Sequence, residues 1–119
     1  MRVFYFEIPA EDCDRAKEFY SKAFGWTYQK FPTETPYYFV KTGDDSEPGI
    51  DGGLMQRFAE GQPVTNIIRV ESVDEACKTI EASGGTIVVP KFEIPGVGWK
   101  AFFKDTEGNI FGVAEMPSG

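Results

Sequence analysis

The chain has 119 residues with 12 Lys and Arg against 19 Asp and Glu, a net charge of −7, and no histidine. Its length suits one domain, which buries about two thirds of its unfolded surface and needs no disulfide staples. The acidic balance argues against nucleic acid and anionic membrane surfaces as partners, since it sets up a repelling field. The missing histidine removes the commonest metal ligand and the commonest general base.

Residues 2–8 alternate and carry aromatics, which predicts a strand at the start of the chain. No basic segment followed by an apolar run precedes it, and no apolar stretch approaches 18 residues, so a cytoplasmic protein is expected. Ala10 to Asp14 hold the acidic residues that suit a helix N-terminus. Ala16, Phe19, Tyr20, Ala23 and Phe24 then recur at helical spacing, with Gly25 placed as a C-cap. Strands are expected near 26–31, 37–41 and 50–57, the last two separated by Gly43-Asp44-Asp45 and Glu47-Pro48-Gly49. The Asp44–Glu47 run reads as a solvated turn. Residues 58–64 form a short linker.

A second series follows in the same order. Asn66 to Val70 read as a strand, and Ser72 with Glu75 three residues on has the pattern of a capping box. Val73, Ala76, Cys77 and Ile80 share a helical face, and Gly84-Gly85 stop that helix. Strands are expected near 86–91, 98–104 and 109–115. The segment 92–98, Phe-Glu-Ile-Pro-Gly-Val-Gly, reads as a turn at a cleft rim, a lid or a dimer contact. A strand and not a helix follows it, which rejects a phosphate-binding loop. Cys13 and Cys77 fall on the two helices without a CxxC spacing and read as free, partly buried thiols.

The two series are related by an offset of 60: Ala16 meets Ala76, Gly25 meets Gly85, and the block from Asp45 to Gly52 meets that from Asp105 to Gly112 with Asp, Glu, Ile and Gly coinciding. The reading is a single domain over 1–119, with repeat one at about 1–57 and repeat two at about 65–116. Each repeat is strand, helix, three strands. A helix covers one face of each sheet, and two copies resolve the remaining open faces by enclosing a cleft.

Phe6-Glu7-Ile8-Pro9 with Arg15-Ala16-Lys17-Glu18-Phe19-Tyr20, then Phe24-Gly25-Trp26, Val73-Asp74-Glu75-Ala76, Gly84-Gly85, and the ending Phe103-Lys104-Asp105-Thr106-Glu107-Gly108-Asn109-Ile110 resemble the vicinal oxygen chelate superfamily. That superfamily includes glyoxalase I, extradiol dioxygenases, and the bleomycin and fosfomycin resistance proteins. The resemblance implies an α+β fold of two tandem βαβββ repeats forming a curved mixed sheet around a cleft, with the helices outside. It also implies four metal-ligand positions, usually His on each first strand and Glu on each last strand. Carried over residue by residue, they fall on Tyr5, Gly52 or Gly53, Thr65 and Gly112. Tyr ligates poorly while protonated, Thr offers a neutral hydroxyl, and Gly offers no side chain. No metal and no cofactor are therefore expected.

Alternation puts Tyr5 and Glu7 on one face, Thr65, Ile67 and Arg69 on another, and Trp99, Ala101 and Phe103 on a third. Tyr5, Thr65, Trp99 and Phe103 would suit a planar or apolar small molecule, with Glu7 and Arg69 selecting its charge. The bland alternatives are core aromatics and a Glu7–Arg69 pair across the sheet. Three functions remain open. The first is a metal-free small-molecule-binding protein, expected as a homodimer like the drug-sequestering branch of the superfamily. The second is a metal-independent isomerase or lyase using Glu7 or Tyr5 for proton transfer. The third is a dimeric partner of another protein.

Overall fold

The computed structural model describes residues 1–116. The fold is α+β, with the order β1 (Arg2–Ala10), α1 (Cys13–Phe24), β2 (Thr27–Lys30), β3 (Tyr37–Lys41), β4 (Gly52–Gln56), β5 (Thr65–Arg69), α2 (Val73–Ala82), β6 (Thr86–Ile94), β7 (Gly98–Lys104) and β8 (Ile110–Glu115). This is βαβββ written twice. One compact unit comprises Tyr5–Val64; the other comprises residues 65–116 together with residues 1–4.

In the first unit the strand order is β2-β3-β4-β1. β1 runs parallel to β4, with Phe6 opposite Gly52 and Glu7 opposite Gly53, while β2–β3 and β3–β4 are antiparallel. Helix α1 starts where Asp12 Oδ1 accepts from the Arg15 amide and stops at Gly25, whose φ of +77° a Cβ would resist. The expected helix start is thereby narrowed, since β1 continues through Ala10. Cys13 and Ala16 of α1 pack against buried Ala10, Val40 and Leu54, joined by Ile8, Trp26, Tyr28 and Tyr38. Tyr20 stacks on Trp26 at 4.9 Å between ring centroids, and Phe6 reaches the same Trp26 at 5.8 Å.

In the second unit the order is β5-β8-β7-β6, with β5 parallel to β8 and the rest antiparallel. Ser72 caps α2 by accepting from the Glu75 amide, as the capping pattern requires. Val70, Val73, Ala101 and Val113 are buried under α2, with Ile68, Ala76, Cys77, Ile80 and Phe103 against them. Edge strand β6 carries Pro90 where its register to β7 shifts, the place in a sheet that tolerates a missing amide donor. β6 also runs on to Ile94. The segment 92–98 is thus mostly paired strand closed by a tight hairpin, in which the Val97 amide donates to Ile94 O at 2.9 Å and Gly96 has φ +75°. The β7–β8 turn is built by Asp105, which accepts from the amides of Glu107 and Asn109 and from Asn109 Nδ2. The Asp-x-Glu-Gly-Asn motif is therefore a turn.

The internal registers refine the repeat. Ile8 and Ile68, 60 apart, both face their helices, yet the matching last-strand residues Leu54 and Val113 are 59 apart. Glu7 opposite Gly53 thus corresponds to Ile67 opposite Gly112. Of the two glycines proposed for the first repeat, Gly53 is the counterpart of Gly112.

Candidate functional site

Ile8, Ala10, Tyr28, Tyr38, Val40 and Leu54 pack toward α1, so strand alternation turns Tyr5, Glu7, Tyr37, Phe39, Gly53 and Met55 to the opposite face of that sheet. Glu7 is only 3% exposed. A carboxyl group removed from water needs hydrogen-bond donors. Tyr37 supplies one, its hydroxyl donating to Glu7 Oε2 at 2.6 Å. Burial, followed by the charge of Glu7, pushes the Tyr37 phenol far above its ordinary value. The same two causes raise Tyr5, against a smaller opposing effect from a hydrogen bond with Tyr37. Both phenols therefore stay protonated near neutrality and keep a hydroxyl hydrogen to donate. Phe31, just beyond β2, packs on Tyr37 with ring centroids 5.4 Å apart. The result is a carboxyl–phenol cluster set among aromatic and apolar side chains.

Gly53 makes this arrangement sterically feasible. A Cβ there would run into the Tyr37 hydroxyl and lie 2.6 Å from Tyr37 Cζ. Gly52 is held bare by the Phe6 ring and Phe6 O on the α1 side. In the second unit a Cβ on Gly112 would stand 2.5 Å from Ile67 Cδ1 and 3.1 Å from the Phe102 ring.

These contacts bear directly on the metal that the resemblance implies. At Gly53 the Tyr37 phenol fills the space a ligating side chain would need, and at Gly112 Ile67 and Phe102 do so. Tyr5 is a phenol held protonated, and Thr65, 7% exposed, offers a neutral hydroxyl. Among the described residues no three His, Cys, Asp or Glu side chains are grouped to hold an ion. The donors at these positions do not fit a divalent metal.

The remaining sequence-derived candidates belong to the second unit. Arg69 ends β5 as an exposed side chain. Phe103 packs in the core under α2 and stacks on Phe111 at 6.1 Å. Trp99 shares that face by alternation and is 36% exposed, with Lys91 Nζ 4.5 Å from its ring; Lys91 in turn pairs with Asp74 of α2 at 2.9 Å. Lys100 lies on the sheet face turned from α2 and is buried. Sequence reasoning missed Tyr37, Phe31, Phe39 and Met55. The available signal was the Gly52-Gly53 pair, because a bare strand position commonly marks the close approach of something bulky.

Comparison with known proteins follows the same lines. A family model described as Glyoxalase/Bleomycin resistance protein/Dioxygenase superfamily matches residues 2–113. A glyoxylase-like domain-containing protein of Didymella fabae is 33% identical over 120 residues, covering 93% of this chain and 91% of that protein. CFP32 of Mycobacterium bovis is 26% identical over 111 residues, covering 90% of this chain; the chain spans only 42% of that protein's length. Among solved structures, methylmalonyl-CoA epimerase from Mycobacterium tuberculosis superposes with a TM-score of 0.73 at 15% identity, covering 98% of this chain and 89% of that one, a likeness of fold. With a family match over nearly its whole length and a relative above 30% identity, the chain belongs to the Glyoxalase/Bleomycin resistance protein/Dioxygenase superfamily.

Proposed function

We propose that this protein binds a small organic molecule, without a metal ion or other cofactor, on the sheet face of its first unit turned away from α1. The observation that carries the reading is the 2.6 Å Tyr37–Glu7 hydrogen bond, standing where bare Gly53 takes the place of a ligating side chain. Glu7 and the protonated phenols of Tyr5 and Tyr37 supply orienting polar groups, and Phe31, Phe39 and Met55 supply apolar contact. Such a mixture suits a planar or partly apolar ligand bearing one polar group. The test is a thermal-shift screen of chelator-treated protein against aromatic and polar metabolites and antibiotics. A ligand at about 100 times its Kd should add about 2.7 kcal/mol of stability by mass action. Tyr37→Phe should weaken a hit about tenfold, equivalent to one hydrogen bond of about 1.4 kcal/mol. Hits that bind Tyr37→Phe and Glu7→Gln as tightly as the parent would place the ligand elsewhere.

The same cluster supports a second reading, a metal-independent isomerase or lyase. Glu7 sits out of bulk water with a phenol fixing one of its oxygens, an arrangement suited to moving a proton to or from a bound carbon acid. Solvent-deuterium exchange into a bound ligand discriminates the two. Exchange in the parent that is lost in Glu7→Gln at saturating ligand supports the enzyme, and binding without exchange in the parent supports sequestration.

A further inference from the structure

A second feature lies on the α1 side of the first unit. A groove of about 540 Å³ is lined by Glu11, Asp12, Arg15, Phe19, Tyr20 and Arg57, together with Ala10 and Ala16. The groove is shallow and largely open, so it suits a small ligand that keeps one face in water. The two arginines have few or stretched acceptors within the groove. Lys17 and Lys22 of α1 pair with carboxylates at 3.2 and 2.6 Å, whereas Arg15 of the same helix does not. Arg57 Nη1 reaches Glu11 only at 3.9 Å, and its Nη2 reaches Pro9 O at 3.4 Å. Its Nε is buried and meets no acceptor among the described residues, so those two stretched contacts are the acceptors its guanidinium has. Arg15 has no carboxylate partner among the described residues, since Asp12 accepts from its backbone amide instead. Beside these guanidiniums stands Phe19, 57% exposed and edge-on to Tyr20 with ring centroids 5.0 Å apart.

We propose that this groove is a second small-molecule site, separate from the Glu7–Tyr37 face, and that it takes an apolar or aromatic carboxylate. The carboxylate pairs with Arg57 and Arg15, displacing Glu11 from its stretched contact, while the apolar body covers Phe19 and Tyr20. Guanidinium recognises carboxylate by charge-assisted bonds, and the acidic Glu11 and Asp12 at the rim restrict the site to ligands of low negative charge.

The probe is 3-phenylpropionate, with 3-phenylpropionamide as its uncharged counterpart, titrated to millimolar concentration into the full chain and followed by amide NMR shifts. The proposal expects the carboxylate to move the resonances of Ala16, Phe19 and Tyr20 and to bind about tenfold more tightly than the amide. Arg15→Gln, an exposed change compatible with folding, should weaken binding about tenfold, and Arg57→Gln at least as much. Glu7→Gln should leave it unchanged, which separates this site from the one on the opposite face. Absence of shifts in the groove, equal binding of acid and amide, full affinity in Arg15→Gln, or dependence on Glu7 would each overturn the proposal.

Discussion

Replacing Gly53 by alanine adds one methyl group and tests the packing of the site. The new Cβ would meet the Tyr37 hydroxyl and Cζ at 2.6 Å, a distance that side-chain carbons do not tolerate, with Cε1 at a tight 3.1 Å. The ring cannot swing aside freely, because Phe31 packs on it and Glu7 holds its hydroxyl. Relief therefore requires breaking the Tyr37–Glu7 bond, worth about 1–3 kcal/mol when a buried polar group loses its partner. Overpacking adds about 1–3 kcal/mol. The sum, roughly 2–6 kcal/mol, should lower Tm by roughly 8–24 °C at about 4 °C per kcal/mol for a domain of this size. The assay is chemical and thermal denaturation of four proteins: parent, Gly53→Ala, Tyr37→Ala, and the double variant. In the Tyr37→Ala background the added methyl should cost less than about 1 kcal/mol, giving a coupling of at least that size. Gly43→Ala is the control, since its Cβ would meet only the Glu47 side chain, at 3.6 Å or more. A Gly53→Ala cost equal in both backgrounds would refute the claim that Tyr37 occupies this position.

Other consequences concern the thiols and the β7–β8 turn. Burial, then the neighbouring acids Asp14 and Glu81, raise the Cys13 and Cys77 thiols, so both should react with a disulfide reagent at pH 7.5 more slowly than a free peptide thiol; rapid modification of the folded protein would contradict this. Hydrogen bonds from Asn109 and Glu107 hold the Asp105 carboxyl below its ordinary value. Its contribution is therefore fully present above the unfolded carboxylate pKa and is lost as pH falls through the lower folded value. Asp105→Asn should be less stable than the parent at neutral pH, and the two unfolding curves should converge in acid; a constant gap across pH would argue against the linkage.

Much of the fold was legible because local chemistry and global packing agree. Asp12, Gly25 and Ser72 carry the chemistry that ends or begins a helix, and the apolar positions of both helices recur at the expected spacing. The offset of 60 located the repeat but mis-set its last strand by one residue, because loop length between strands is not constrained by core packing. For the site, period-two alternation grouped Tyr5 with Glu7 and Trp99 with Phe103. It left open which face each group takes, and that is decided by contacts with α1 and α2 distant in sequence. Tyr37 escaped notice for the same reason. Its role depends on β3–β4 register, which places Phe39 opposite Gly53 and sets Tyr37 diagonal to it. The vacant side chain at Gly53 was visible in the sequence, but the group that fills the space was not.

The most direct test of the account is an NMR titration of chelator-treated protein with a thermal-shift hit, before and after adding Zn²⁺, Ni²⁺ or Mn²⁺. The account predicts saturable shifts at Tyr5, Glu7, Tyr37 and Gly53 with no metal present, and an affinity that the metals leave unchanged. Ligand binding that appears only once a divalent ion is added, or shifts that bypass those four residues, would contradict it.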